Sequence, residues 1–95
     1  MILKWMPEAI DDLASLRAWI ARDSPAAAQR MALPIIEAVE TELSEYPEIG
    51  RIGRVAGTRE FVVPRTPDIV SYRLRHGLVE VLRVYHGARR WPERF

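Results

Sequence analysis

The sequence has no cysteine, which excludes a disulfide framework, a thiolate metal site and a cysteine nucleophile. Lys4 is the single lysine among fourteen basic residues. Nearly every cation is therefore an arginine, the side chain suited to bidentate carboxylate or phosphate contacts. No apolar run approaches the roughly 18 residues of a membrane span, and the N-terminus lacks a charged region followed by a hydrophobic block. A soluble, cytoplasmic protein is expected. Its 95 residues make a single domain (1–95) and leave no room for a dinucleotide-binding sheet or a TIM barrel. Neither histidine has a histidine or cysteine at i+3 or i+4, so no metal site is expected. Gly50-Arg51-Ile52-Gly53-Arg54 lacks the Lys-Ser/Thr and the strand–loop–helix setting of a phosphate loop, and no cofactor is expected. Ser15, Ser24, Ser44 and Ser71 fall in helices, a cap or a strand without turn glycines, so no nucleophilic triad is indicated.

What the chain does have is apolar residues, 48% of the total, enough to fold rather than stay disordered. It also has a charge split. Residues 1–48 carry four bases against nine acids, a net of −5; residues 49–95 carry ten arginines against four acids, a net of +6. The basic half suggests a surface suited to an anionic partner.

Met1–Trp5 reads as a first strand. Pro7 can occupy the first turn of a helix, with Glu8, Asp11 and Asp12 complementing the N-terminal dipole. Ala9, Leu13, Leu16 and Ile20 recur at helical spacing and predict an amphipathic helix over Pro7–Arg22. Ser24 as N-cap and Pro25 at the first position start a second helix through Ala28, Met31, Ile35, Val39, Leu43 and Tyr46. Pro34 within it should kink it, and the acids between Glu37 and Glu48 form a solvated face. The short connection makes the two helices an antiparallel hairpin.

After Pro47 the glycines Gly50, Gly53 and Gly57 mark a loop or an irregular edge strand. Three strands follow, at Thr58–Val63, Ile69–Arg75 and Leu78–Tyr85, the last two joined by a turn at His76-Gly77. A two-residue turn there places Leu74 opposite Val79, Tyr72 opposite Val81 and Val70 opposite Arg83 on an apolar face. The other face pairs Arg73 with Glu80, Ser71 with Leu82 and Ile69 with Val84, and is mixed enough to receive a partner. The fold class is α+β, in the order β-α-α-β-β-β: a helical hairpin on one face of a mostly antiparallel sheet.

The residue types that could do chemistry gather late in the chain: Arg83, Tyr85, His86, Arg89, Arg90 and Trp91, preceded by Arg51, Arg54, Arg59 and Arg65. One histidine with several arginines could supply the acid–base group and the cations of a metal-free RNA cleavage. His86 equally reads as a hydrogen-bonding residue at a strand end. Arg83, on the expected apolar face, suits an ion pair with a helix carboxylate as well as it suits phosphate. Trp91 and Phe95 read as an anchor for the C-terminus more readily than as a base-stacking platform. Trp5 and Trp19 read as packing residues.

Several stretches resemble the RelE/ParE superfamily of type II toxin–antitoxin toxins. They are Trp5-Met6-Pro7-Glu8-Ala9 with Asp12-Leu13, Ser24-Pro25-Ala26-Ala27-Ala28, Tyr46-Pro47-Glu48-Ile49-Gly50-Arg51 and Gly57-Thr58-Arg59-Glu60-Phe61-Val62-Val63. Ile69-Val70-Ser71-Tyr72-Arg73 and Val81-Leu82-Arg83-Val84-Tyr85-His86-Gly87-Ala88-Arg89 complete the set, which covers essentially the whole chain; Pro34 departs from it. The resemblance implies a bacterial toxin neutralised by a cognate antitoxin whose C-terminal segment wraps around it, with operator DNA bound only through that antitoxin. RelE-like members are ribosome-dependent mRNA endonucleases, whereas ParE-like members poison DNA gyrase without an established nuclease site. In the ribonuclease branch, cations lie on the strand matching Arg59–Val63 and early in the next strand. The aligned positions here hold Glu60, Val62 and Ile69. Arg89 matches a basic residue after the last strand, and Phe95 falls near that branch's catalytic tyrosine.

These departures favour the ParE side: a non-enzymatic gyrase inhibitor with Arg59, Arg83, His86, Arg89, Arg90 and Trp91 contacting the target. The alternative is an mRNA interferase acting at the ribosome, with His86 as acid or base and Arg54, Arg59, Arg83 and Arg89 holding phosphate. For the antitoxin the expected contacts are Leu13, Leu16 and Ile20 on the hairpin and Ile69, Arg73 and Leu82 on the mixed sheet face. Acidic antitoxin residues would meet the arginines.

Overall fold

The computed structural model describes residues 1–87. Strand β1 (Ile2–Trp5) leads into helix α1 (Pro7–Ala21) and helix α2 (Pro25–Ala38), whose winding widens to a π-turn at Val39–Leu43. Four strands follow: β2 (Arg51–Ile52), β3 (Arg59–Val62), β4 (Asp68–Arg75) and β5 (Leu78–His86). Among the described residues the sheet order is β1-β5-β4-β3-β2, with β1 parallel to β5 and every other pair antiparallel. The expected α+β arrangement is present, and the glycine-rich stretch contributes the two-residue edge strand β2.

Local chemistry explains the helices. Pro7 stands in the first turn of α1, where a missing N–H costs nothing. Ser24 caps α2, its Oγ accepting from the Ala27 N–H at 3.2 Å, and Pro25 follows at the first position. Pro34 does not end α2, which runs unbroken through it. Ala9 and Leu16 of α1 and Ile35, Val39 and Leu43 of α2 are buried against Phe61, Val63, Val70, Tyr72, Val79, Val81 and Val84 of the sheet.

The β4–β5 register departs from the simple turn geometry halfway along. His76 and Gly77 take positive φ of 54° and 73°, as a two-residue hairpin turn requires. From there Leu74 faces Val79, Arg73 faces Glu80 and Tyr72 faces Val81, as expected. Beyond Tyr72 the register shifts: Ser71 faces Arg83, Val70 faces Val84 and Ile69 faces Tyr85. The expected pairs Ser71–Leu82, Val70–Arg83 and Ile69–Val84 are therefore displaced by one residue, with Leu82 the extra residue of a bulge. The reason is burial. Strict alternation after Val81 would turn Arg83 into the core and Val84 away from it; one inserted residue returns Val84 to the helix-covered face.

Candidate functional site

Among the described residues, none forms a strand on the outer side of the far half of β5. β1 pairs with β5 only as far as Trp5 opposite Val81, and the Met6 N–H then donates to the Val81 carbonyl at 2.9 Å. Past that point Asp12 of α1 takes over. Its Oδ2 accepts from Arg83 Nε at 2.8 Å and from the Val84 backbone N–H at 2.9 Å, and its Oδ1 accepts from Arg83 Nη2 at 3.0 Å. One carboxylate thus caps an open strand edge and neutralises a bidentate guanidinium. Asp12 reaches it because it lies three residues after Ala9 and four before Leu16, on the buried stripe of α1. The bonds from Asp12 raise the Arg83 pKa further above its ordinary value. The same guanidinium sits 5.4 Å from the centre of the Tyr85 ring. Burial pushes the Tyr85 phenol up to about 12, and Arg83 pulls the other way.

At the end of β5, His86 lies opposite Asp68 at the start of β4. Its Nδ1 is 3.0 Å from Asp68 Oδ1, and both side chains are largely buried. A carboxylate only accepts, so the shared hydrogen belongs to Nδ1, which fixes the ring. The Trp19 indole of α1 rests on the imidazole, ring centres 5.3 Å apart and tilted by 60°. Gly87 then donates its N–H to the Pro67 carbonyl at 2.6 Å. A β-carbon at Gly87 would lie 2.8 Å from that same oxygen, so the close approach requires glycine.

A third cluster holds the β2 side of the sheet. Glu60, only 4% exposed, accepts from Arg51 Nε at 3.2 Å and Nη2 at 3.0 Å on one oxygen, and from the Arg54 backbone N–H at 3.0 Å on the other. Arg59 Nη1 donates to the carbonyls of Glu48 at 3.2 Å and Gly50 at 2.9 Å. The Gly50 N–H donates to the hydroxyl of Tyr72 at 2.8 Å, and burial raises the pKa of that phenol. On the opposite face of the sheet from the helices, Arg73 Nε donates to Glu80 Oε1 at 2.6 Å. That bond is the main reason why the Glu80 pKa is lowered.

The expected site residues thus divide. Arg83 resolves as an ion pair with a helix carboxylate, and Arg59 holds the backbone of the Glu48–Gly50 loop. His86 is a strand-end residue fixed by Asp68. Arg54 is bound through its backbone to Glu60. Arg89, Arg90 and Trp91 lie outside the described residues. On the hairpin, Leu13 and Ile20 are partly exposed, but Leu16 is core and offers no contact surface. The apolar stripe of α1 is turned inward at that position, so the expectation for Leu16 is corrected. Ile69 and Arg73 are half-buried on the face away from the helices. Leu82, 9% exposed, is the buried bulge residue, which leaves it a small contact area.

Sequence reasoning passed over Asp12, Asp68 and Glu60 as partners. The spacing of Asp12 from Ala9 and Leu16 could have revealed it. Asp68 could not be found without the bulge that brings it opposite His86.

The model of the family described as the ParE toxin of the type II toxin–antitoxin system, parDE, matches residues 3–91. The putative toxin Y4kP of Sinorhizobium fredii is 40% identical over 91 residues, 96% of this chain and 93% of that protein. Toxin RelE2 of Caulobacter vibrioides is 41% identical over 85 residues, 90% of this chain and 93% of that protein. Among solved structures, a chain of the chromosomal ParDE toxin–antitoxin system from P. aeruginosa superposes with a TM-score of 0.79 at 26% identity, covering 90% of this chain and 95% of that one. The fold, the order of its elements and these likenesses converge: the chain belongs to the ParE toxin family of type II toxin–antitoxin systems.

Proposed function

We propose that this toxin acts by binding DNA gyrase and inhibiting it, without cleaving RNA, until an antitoxin covers it. The observation that carries this reading is the state of Glu60. On the strand where the ribonuclease branch places cations, this chain has a buried carboxylate already bound to Arg51 and the Arg54 N–H, with Val62 and Ile69 at the other two positions. A buried carboxylate compensated by Arg51 supplies no cation to stabilise a scissile phosphate there. Target contact then falls to His86 at the end of β5 and to Arg89, Arg90 and Trp91 after it. Arg83 supports that region by holding the strand edge with Asp12, and Arg59 holds the Glu48–Gly50 loop on the β2 side. Neutralisation falls to the cytoplasmic antitoxin, seated on Leu13 and Ile20 of the hairpin and on Ile69, Arg73 and the margin of Leu82. The test is plasmid supercoiling by purified gyrase with the toxin in excess. Loss of supercoiling, restored by antitoxin, is expected; normal supercoiling overturns the proposal.

A second reading has one observation in its favour: His86 is held by Asp68, the arrangement that orients a general base. It makes the chain a ribosome-dependent mRNA endonuclease. Primer extension on translated mRNA would then reveal codon-positioned cuts that disappear in His86→Ala.

A further inference from the structure

Strand β1 stands at the end of the sheet. The Met6 N–H donates to the Val81 carbonyl, and backbone groups alternate in direction along a strand. Lys4 and Ile2 therefore turn their N–H and C=O toward β5, while those of Leu3 and Trp5 turn outward. Among the described residues nothing bonds to these outward groups, and no carboxylate covers them as Asp12 covers Val84. On the face away from the helices, one row of side chains leads to this edge. Arg73 of β4 lies opposite Glu80 of β5, and Glu80 lies beside Lys4 of β1. The row reads plus, minus, plus, and Arg73 Nε donates to Glu80 Oε1 at 2.6 Å. Lys4, the chain's single lysine, is exposed at the open end and forms no ion pair among the described residues.

A strand added at this edge completes the alternation when it carries a carboxylate opposite Lys4. The residues on either side of that carboxylate fall on the other face, beside Leu3 and Trp5, which pack against the core. On the face of Lys4, the next position along lies opposite Ile2, which is 72% exposed. The edge thus fits an extended segment with one acid among apolar residues. A second copy of the chain does not match it. Antiparallel pairing of two β1 strands centred on Lys4 sets the lysines face to face, where like charges repel. Centred on Trp5, the pairing brings Pro7, which has no N–H, into the ladder. Centred on Leu3, it sets Lys4 opposite Ile2 and leaves the charge row incomplete. We propose that the outer edge of β1 is a docking site for an extended acidic segment of a partner protein, added as a sixth strand with its carboxylate on Lys4. Main-chain hydrogen bonds to Leu3 and Trp5 hold the segment, and Lys4 selects it. The site is independent of the target and antitoxin contacts proposed above, none of which uses β1.

The probe is a blocked peptide, acetyl-Ile-Val-Glu-Val-Ile-amide, whose pattern reads the same in either strand direction. Added to the full chain at saturation, it should slow amide exchange at Leu3 and Trp5 about tenfold or more. Replacing its glutamate by glutamine should weaken binding about two- to fivefold, and by lysine about tenfold or more. Lys4→Gln, an exposed substitution that leaves the core untouched, should give a chain that no longer distinguishes the glutamate peptide from the glutamine one. Unprotected Leu3 and Trp5 amides, three peptides of equal affinity, or a Lys4→Gln chain that still prefers glutamate would each overturn the proposal.

Discussion

The arginines of the sheet and the glutamates at the end of α2 use their charges in opposite ways. Arg51, Arg73 and Arg83 each pair with a carboxylate from another part of the chain, and Arg59 is bound to backbone carbonyls. Glu45 and Glu48, by contrast, are exposed on the rim of an apolar cleft. The sequence halves differ by eleven units of charge, yet Arg83 is paired across them with Asp12, and Arg51 and Arg73 are each paired within the basic half. The difference teaches that a charge count by segment does not map a surface. In this sheet the arginines act first as ties between strands, loops and helix.

Removing ties and removing rim charges should therefore give effects of different size. The largest is expected for Asp12→Ala, which strips three hydrogen bonds and leaves the Arg83 guanidinium half-buried beside an uncovered Val84 N–H. A loss of about 2–3 kcal/mol in urea unfolding is expected, and a loss under 0.5 kcal/mol would show that the tie is idle. Alkaline titration comes next. An unfolded tyrosine releases its proton near pH 10, whereas folded Tyr85 holds it to about 12. Between those values the unfolded state binds fewer protons, so stability falls as pH rises, by about 2 kcal/mol in all. Tyr85→Phe should flatten that decline, leaving the smaller contribution of Tyr72, whose shift has the same sign.

Glu60→Gln keeps the shape but weakens the bonds to Arg51 and the Arg54 N–H. About 1–2 kcal/mol is expected, with faster amide exchange at Arg54 as the local signature. Glu80, whose pKa is depressed by Arg73, adds stability above the ordinary carboxylate range and loses it as pH falls through its folded value. Glu80→Gln should then be destabilising at neutral pH and silent in acid, read from melting curves at the two pH values. Glu45→Gln and Glu48→Gln should each change monomer stability by less than about 0.5 kcal/mol. If these rim substitutions cost as much as Asp12→Ala, the contrast fails.

Much of the fold could be read from residue spacing, and the reasons for the rest are specific. The hairpin followed from Ala9, Leu13, Leu16 and Ile20, the Ser24-Pro25 start and the stripe to Leu43. The turn at His76-Gly77 gave the correct register as far as Tyr72–Val81. Beyond it the prediction slipped, because a bulge adds one residue without any local marker such as glycine. The signal was in the parity of the buried residues, which are odd-numbered at Val79 and Val81 and even-numbered at Val84. The candidate site suffered from the same slip: Asp68–His86 exists only in the shifted register. Arg83 was legible as one of two alternatives, and the structure gives it to Asp12. Strand β2, two residues long, offers too little pattern to assign.

The bonds from Asp12 to β5 join residues 71 and 72 positions apart, and β1, the first described element, pairs with β5, the last described one. That closure has a consequence in time. As the chain is synthesised, β1 and α1 emerge with their permanent neighbours still missing, and the sheet cannot be completed until β5 is available. Long-range pairing of this kind slows folding. The surfaces carried by β5 therefore take their final shape only after nearly the whole of the described chain has been made.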